Sequence, residues 1–98
     1  MTRETLESVL AVAPGSSLAK SDKKTDDKLY VIAEEHRASM HLAIGTSTVT
    51  LTEVARVILG TILRVELRDR TVMFVEYGAV QGFSVKPPRG TGDSRTGF

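Results

Sequence analysis

The sequence predicts a single α+β domain with a small, mostly antiparallel sheet of four or five strands, an N-terminal helix and one short internal helix. Three observations support this fold class. A chain of 98 residues is long enough for one small domain and too short for two. Apolar and polar side chains alternate through much of residues 61–85, which is the period of a half-buried strand. An apolar stripe with helical spacing lies near the start of the chain.

The composition narrows the classes of function. Thirteen basic and twelve acidic residues leave a formal net charge of +1. This balance argues against a general polyanion binder, because phosphate contacts need a marked surplus of Lys and Arg. The chain has no cysteine, which excludes disulfides, thiolate nucleophiles, iron–sulfur clusters and cysteine-ligated zinc. Aromatic residues make up 5% of the chain, so we expect a core of Val, Leu and Ile.

We expect the protein to be cytoplasmic and to have no membrane segment. Acidic and polar residues interrupt the apolar positions of the first segment, MTRETLESVLAVAPG. A secretory signal needs an uninterrupted apolar run of roughly 7–15 residues. No stretch approaches the roughly 18–20 apolar residues of a membrane-spanning helix.

The N-terminal helix is predicted over residues 1–14. Thr2 can cap it, and Pro14-Gly15 ends it. Its apolar face consists of Leu6, Val9 and Leu10. Residues 15–27 are polar and charged with few apolar anchors, which predicts a flexible linker to the α+β domain at residues 28–87.

The first half of that domain is predicted to contain two strands and a short helix. Residues 28–45 alternate as two strands with a corner near residues 35–38. Thr50 and Glu53 have the spacing of a capping box, and Val54, Val57 and Ile58 form a short apolar stripe. The β-branched side chains favour a strand instead. We interpret residues 52–59 as a short helix, with a strand as the alternative.

The second half is predicted to be a hairpin followed by a last strand. A two-residue turn at Asp69-Arg70 places Leu67 opposite Val72 and Val65 opposite Phe74. The opposite face then pairs Met73 and Val75 with charged residues. The final strand, AVQGFSVK, has Gly82 as a candidate bulge. Residues 88–98 are rich in Gly and charge and are predicted to be a disordered tail.

The leading functional hypothesis is a non-enzymatic protein-interaction or assembly module that forms homo-oligomers or binds another protein. A small domain buries little surface of its own, and oligomerisation commonly adds stability. The candidate interaction surface combines the half-apolar sheet face with the apolar face of the helix. Its residues are Met73, Val75, Tyr77, Leu6 and Leu10.

The alternative hypothesis is a small nucleic-acid-binding regulator that uses a basic sheet face and the tail. Basic sheets bind single strands by combining phosphate contacts with base stacking. The candidate contacts are Arg64, Arg68, Arg70, Lys86 and Arg89. Acidic residues interleave with these arginines, which is also typical of an ordinary solvated strand face. We therefore rank this hypothesis second.

An enzymatic or metal-binding role ranks third. Glu35, His36 and His41 are the residues with the chemical groups for proton transfer or metal binding. Neighbouring residues on a strand point to opposite faces, so a solvated strand corner is the preferred interpretation. The sequence contains no Gly-x-Ser-x-Gly elbow and no Gly-Lys-Ser/Thr phosphate loop. We expect no catalytic site, no metal and no cofactor.

Two short segments resemble parts of known families. TVTLTEVARVILGTILRVEL is similar to the strand–helix–Gly–strand unit of small dimeric domains in flagellar-switch and type III secretion proteins. LRVELRDRTVMF resembles an Sm-type RNA-binding hairpin, although it lacks the glycine and the nucleotide-pocket residues of that family. Each resemblance covers less than a quarter of the chain, so we assign no family.

Overall fold

The structure, a computed structural model, describes residues 1–88; the predicted tail beyond Pro88 and the candidate residue Arg89 lie outside this part. The described residues form one α-helix, eight strands and one 3-10 turn at Tyr77–Ala79. The predicted combination of an N-terminal helix with antiparallel sheet is confirmed. The helix and strands are α1 (Arg3–Val12), β1 (Ser16–Ser21), β2 (Lys28–Ile32), β3 (Arg37–Ile44), β4 (Ser47–Leu51), β5 (Val54–Leu59), β6 (Leu63–Leu67), β7 (Val72–Val75) and β8 (Val80–Lys86).

The strands form two antiparallel sheets rather than one. The larger sheet has the order β1-β2-β5-β6-β7, and the smaller has the order β4-β3-β8. β2 and β3 follow each other through a bend at residues 33–36, and β4 continues into β5 through residues 52–53. The two sheets are therefore joined by two bent strand pairs.

One aliphatic core lies between the sheets and the helix, as the composition predicts. Leu63 and Val65 on β6 have no exposed surface, and neither has Met40 on β3. No polar or charged residue of the described part is buried. The buried residues are Leu6, Leu10, Tyr30, Ile32, Ala38, Met40, Leu42, Leu51, Val54, Val57, Leu59, Leu63, Val65, Val75 and Val80.

α1 packs onto the core of its own chain. The Thr2 side chain caps it by accepting a 3.1 Å hydrogen bond from the amide of Thr5. Leu6 and Leu10 are fully buried, and each contributes about 1.5–3 kcal/mol of apolar burial. No helix within residues 1–88 is both long and apolar enough to cross a membrane.

The segment predicted to be a flexible linker contains an edge strand. β1 lies antiparallel to β2, with Ser17 opposite Val31 and Lys20 opposite Leu29. The register shifts between Leu18 and Lys20, as expected for a bulge. Because the strand is almost wholly exposed, its sequence is polar, and a polar sequence of this kind is also typical of a linker.

The segment predicted to be a short helix is a strand. β5 pairs with β2 on one side and with β6 on the other. Val54 and Val57 are both fully buried although they are three residues apart, because the register shifts between Val54 and Arg56. A bulge adds one residue to the strand and thereby produces the spacing of a helix. The β-branched residues indicated the correct element.

The β6–β7 hairpin has a different register from the predicted one. Glu66 lies opposite Val72 and Arg64 lies opposite Phe74, a shift of one residue from the predicted pairing. The turn contains three residues, Arg68 to Arg70, and Arg70 has a left-handed backbone with φ 74. A shift by one residue turns every side chain to the other face of a strand. Val72 and Phe74 therefore face outward.

Candidate protein-interaction surface

β7 is an edge strand that carries large apolar side chains on its outer face. Within residues 1–88 it pairs with β6 alone. Phe74 is 69% exposed and Val72 is 43% exposed. Soluble proteins normally protect sheet edges with charge, proline or a bulge, because an unpaired edge invites another strand.

Two further exposed side chains extend this apolar area on either side of Phe74. Ile62, in the β5–β6 turn, is 60% exposed, and Ile44, at the end of β3, is 52% exposed. A shallow groove of about 410 Å³ is lined by Ile62, Arg64 and Phe74, among others. A second groove of about 350 Å³ separates Phe74 from Ile44. We call Ile44, Ile62, Val72 and Phe74 together the β7 surface.

The backbone of β7 offers hydrogen-bonding groups at the same place. The amide of Leu67 donates a 2.9 Å hydrogen bond to the carbonyl of Thr71, so the backbone polar groups of Thr71 point toward β6. In an antiparallel sheet, successive residues direct their amides and carbonyls alternately toward the neighbouring strand on one side and toward the other side. The amides and carbonyls of Val72 and Phe74 therefore point away from β6, toward the open side of the sheet.

Opposite charges flank the apolar residues of β7. Arg70 precedes the strand and Glu76 follows it, and both are exposed. On the neighbouring strand, Arg64 pairs with Glu66 at 3.2 Å. The exposed apolar residues of β7 thus lie between a positive charge before the strand and a negative charge after it.

The residues that the sequence predicted as an interaction surface lie mostly inside the molecule. Leu6, Leu10 and Val75 are buried in the core, and Met73 is half-buried beside it. The Tyr77 hydroxyl donates a 2.7 Å hydrogen bond to the carbonyl of Gly60, and burial raises the pKa of Tyr77 above its ordinary value of 10.0. These residues do not form one exposed face.

The β7 surface does not follow from the sequence pattern, for one reason. The expected turn of two residues placed Phe74 opposite Val65, inside the sheet. The correct register would have required recognising Arg70 as a left-handed residue in a three-residue turn. Glycine normally marks that position, and its absence left no signal.

The candidate nucleic-acid contacts are not brought together in one basic stripe. Arg68 is half-buried and donates to the carbonyls of Ile32, Ala33 and His36, at distances from 2.9 to 3.4 Å. Lys86 lies on β8 in the smaller sheet, whereas Arg64 lies on β6 in the larger sheet. Arg70 is exposed beside β7.

Of the candidate residues for metal binding or proton transfer, Glu35 and His36 are neighbours, with Glu35 Oε1 4.0 Å from His36 Nδ1, and His41 lies apart from them. His36 packs against Gly15 so closely that a Cβ there would lie 2.5 Å from the imidazole Cγ. His41 lies on the smaller sheet, with its ring nitrogens 3.3 Å from the Thr50 hydroxyl and 3.0 Å from the Ser84 hydroxyl. Within residues 1–88, no group of three or more His, Cys, Asp or Glu side chains has the arrangement of a metal site.

Within residues 1–88, the fold and the surface define a small domain of two antiparallel sheets and one helix, with an apolar open edge at β7. Comparison of the chain with protein-family models, with curated proteins and with solved structures gives no significant match.

Proposed function

We propose that the protein is a non-enzymatic assembly module that associates with a second polypeptide, in the first place another copy of itself, through the β7 surface. One observation carries this proposal: Phe74 is 69% exposed on an edge strand. The backbone groups of the same residue point toward the open side of the sheet. The exposed apolar side chain and the backbone groups that point toward the open side therefore belong to the same residue.

Strand addition is the mode of recognition that this arrangement favours. A strand that pairs with a sheet edge gains main-chain hydrogen bonds, and side-chain contacts give specificity. Contiguous apolar patches on soluble proteins commonly mark interaction sites. The charges of Arg70 and Glu76 at the two ends of the apolar residues favour a partner strand with complementary ends.

Light scattering during gel filtration at micromolar concentrations tests the proposal. We expect the wild-type protein to associate and Phe74→Ser to shift toward the monomer. Burial of one large apolar side chain is worth about 1.5–3 kcal/mol, and a pair of identical chains loses two of them, so the dissociation constant should rise at least about 10-fold.

A matched control comes from the other exposed edge of the larger sheet. Leu18 on β1 is 50% exposed, so Leu18→Ser makes a similar chemical change away from β7. We expect it to leave association unchanged, and circular dichroism should show that both variants are folded. A strictly monomeric wild-type protein, or equal association of both variants and the wild type, would contradict the proposal.

A further inference from the structure

We infer that two copies of the chain pair β7 with β7, antiparallel, about a twofold axis that passes beside Met73. This inference rests on the proposed function and adds the partner, the strand direction and the register. In this arrangement Phe74 lies opposite Val72 of the second copy, and Arg70 lies opposite Glu76 of the second copy. Each of these contacts occurs twice because of the symmetry.

The backbone limits the registers that two copies can adopt. Val72 and Phe74 direct their amides and carbonyls toward the open edge, and Met73 and Val75 direct theirs toward β6. In an antiparallel pair of strands, two opposed residues must both direct their amides and carbonyls toward each other or both direct them away. The twofold axis must therefore pass beside a residue and not between two residues. Val72 and Phe74 lie opposite themselves or each other only when the axis passes beside Val72, Met73 or Phe74.

Charge selects one of these three registers. An axis beside Phe74 places the carboxylate of Glu76 opposite the apolar Val72 of the second copy. An axis beside Val72 places Arg70 opposite Phe74 of the second copy and Glu76 opposite Arg68, whose guanidinium is already bonded to backbone carbonyls. The axis beside Met73 alone pairs Arg70 with Glu76, and both are exposed in the single chain.

The apolar side chains fit the same register. Val72 and Phe74 lie on the outer face of the sheet, and Arg70 and Glu76 are exposed residues that flank β7 just outside its two ends. An aromatic residue opposite a β-branched residue is a favourable cross-strand pair. On the other face, Met73 and Ile44 line the groove of about 350 Å³ beside β7. The second copy's Met73 would approach this groove, so pairing would also cover Ile44.

Charge reversal tests the register. Arg70→Glu places two carboxylates opposite each other across the interface, and Glu76→Arg places two guanidinium groups opposite each other. We expect each single variant to raise the dissociation constant at least about tenfold. Mixing the two single variants should restore association as a heterodimer, and the double variant R70E/E76R should associate with itself.

Two variants control for the change in net charge. Lys86→Glu and Glu34→Arg make the same charge changes at exposed positions away from β7. We expect both to associate like the wild type. If the single variants also associate like the wild type while Phe74→Ser does not, the register is wrong and the proposed function stands. If the wild-type protein does not associate, both proposals fail. Failure of the mixture to recover association would overturn the register.

A disulfide gives a positional test, because the chain has no cysteine of its own. Opposed residues at a non-hydrogen-bonded position have Cα atoms about 4.5 Å apart, which permits a disulfide. Met73→Cys should therefore form a covalent dimer when treated with oxidised glutathione. Thr71→Cys lies opposite Val75 of the second copy and should remain a monomer on a non-reducing gel. Equal cross-linking of the two variants would contradict the axis beside Met73.

Discussion

The guanidinium of Arg68 donates a 2.9 Å hydrogen bond to the carbonyl oxygen of Ala33, at the bend between β2 and β3. The same Nη2 lies 3.3 Å from the carbonyl of His36. The amide of Arg68 also donates to the carbonyl of Glu53, in the bend between β4 and β5. Arg68 thus links the corner of one hairpin to the bends of two other strands, which is a structural role.

Replacement of Arg68 by Ala should destabilise the fold. The substitution leaves the carbonyls at the β2–β3 bend without their charged donor, and hydrogen bonds to charged groups contribute about 1.5–3 kcal/mol. Urea unfolding of the Arg68→Ala variant should show a loss of this size. Arg64→Ala is the control, because Arg64 is exposed and takes part in a partly exposed ion pair with Glu66, and surface ion pairs are worth about 0–1 kcal/mol. Equal losses in the two variants would argue against the role of Arg68.

Replacement of Gly15 by Ala should cost more stability than replacement of Gly45 by Ala. Both glycines have positive φ, at 78 and 63, and no atom lies within 4 Å of a Cβ built on Gly45. Gly45→Ala should therefore cost only the left-handed strain, about 1–2 kcal/mol. Gly15→Ala adds a collision with the imidazole of His36, at 2.5 Å.

A double-mutant cycle separates the collision from the strain. In a His36→Ala background the imidazole is absent, so the added cost of Gly15→Ala should fall to the cost seen at Gly45. Thermal unfolding of the four proteins of the cycle, together with Gly45→Ala, measures the collision and the strain. An unchanged cost in the two backgrounds would show that the ring does not cause the difference.

The stability contribution of Asp69 should disappear in acid. The side-chain and backbone hydrogen bonds of Thr71 lower the pKa of the Asp69 carboxyl below its ordinary value of 3.8. The amide of Thr71 donates one of them to Oδ1, at 2.9 Å. A lowered pKa means that the charged carboxylate stabilises the fold above the unfolded-state pKa, and that this is lost as the pH falls through the folded-state pKa.

Comparison of the wild type with Asp69→Ala tests this direction of the pH dependence of stability. The difference in free energy of unfolding should be constant above about pH 5 and should shrink as the pH falls below about 4. Urea titrations at a series of pH values measure it. A difference that stays constant or grows as the pH falls further would exclude the carboxylate as the cause.

Period-two alternation predicted the regular strands correctly. Met40 and Leu42 on β3, and Leu63 and Val65 on β6, alternate with less buried residues and lie in the core. The side-chain cap at Thr2 also followed from local chemistry. At these positions the residue type, the backbone conformation and the burial of the side chain all indicate the same element. Such agreement makes an inference from sequence reliable.

The errors arose where the strands are irregular. A register shift in β1 lies in a polar edge strand, and another in β5 placed Val54 and Val57 on one face. The third irregularity is the left-handed Arg70, which shifted β7 by one residue and turned Phe74 outward. Bulges change the side-chain period by one residue, and none of these has a glycine to mark it. The candidate interaction surface was missed because it depends on the third.

Arg70 should therefore favour association at a cost in monomer stability. An arginine at φ 74 carries left-handed strain, about 1–2 kcal/mol, which glycine avoids at the expense of greater chain entropy. Arg70→Gly should raise the free energy of unfolding of the monomer by about 0.5–1 kcal/mol. The same change removes the guanidinium that we propose to pair with Glu76 of the second copy, so association should weaken.

Thermal unfolding at submicromolar concentration measures the first effect of Arg70→Gly, and light scattering at micromolar concentration measures the second. Arg70→Asn is the control, because asparagine also tolerates the left-handed region without the chain entropy of glycine. Both variants should be at least as stable as the wild type and should associate more weakly. If a variant becomes more stable and associates as before, the left-handed strain at Arg70 does not serve association. A variant that becomes less stable would show that the guanidinium, rather than the backbone conformation, determines the contribution of Arg70 to the fold.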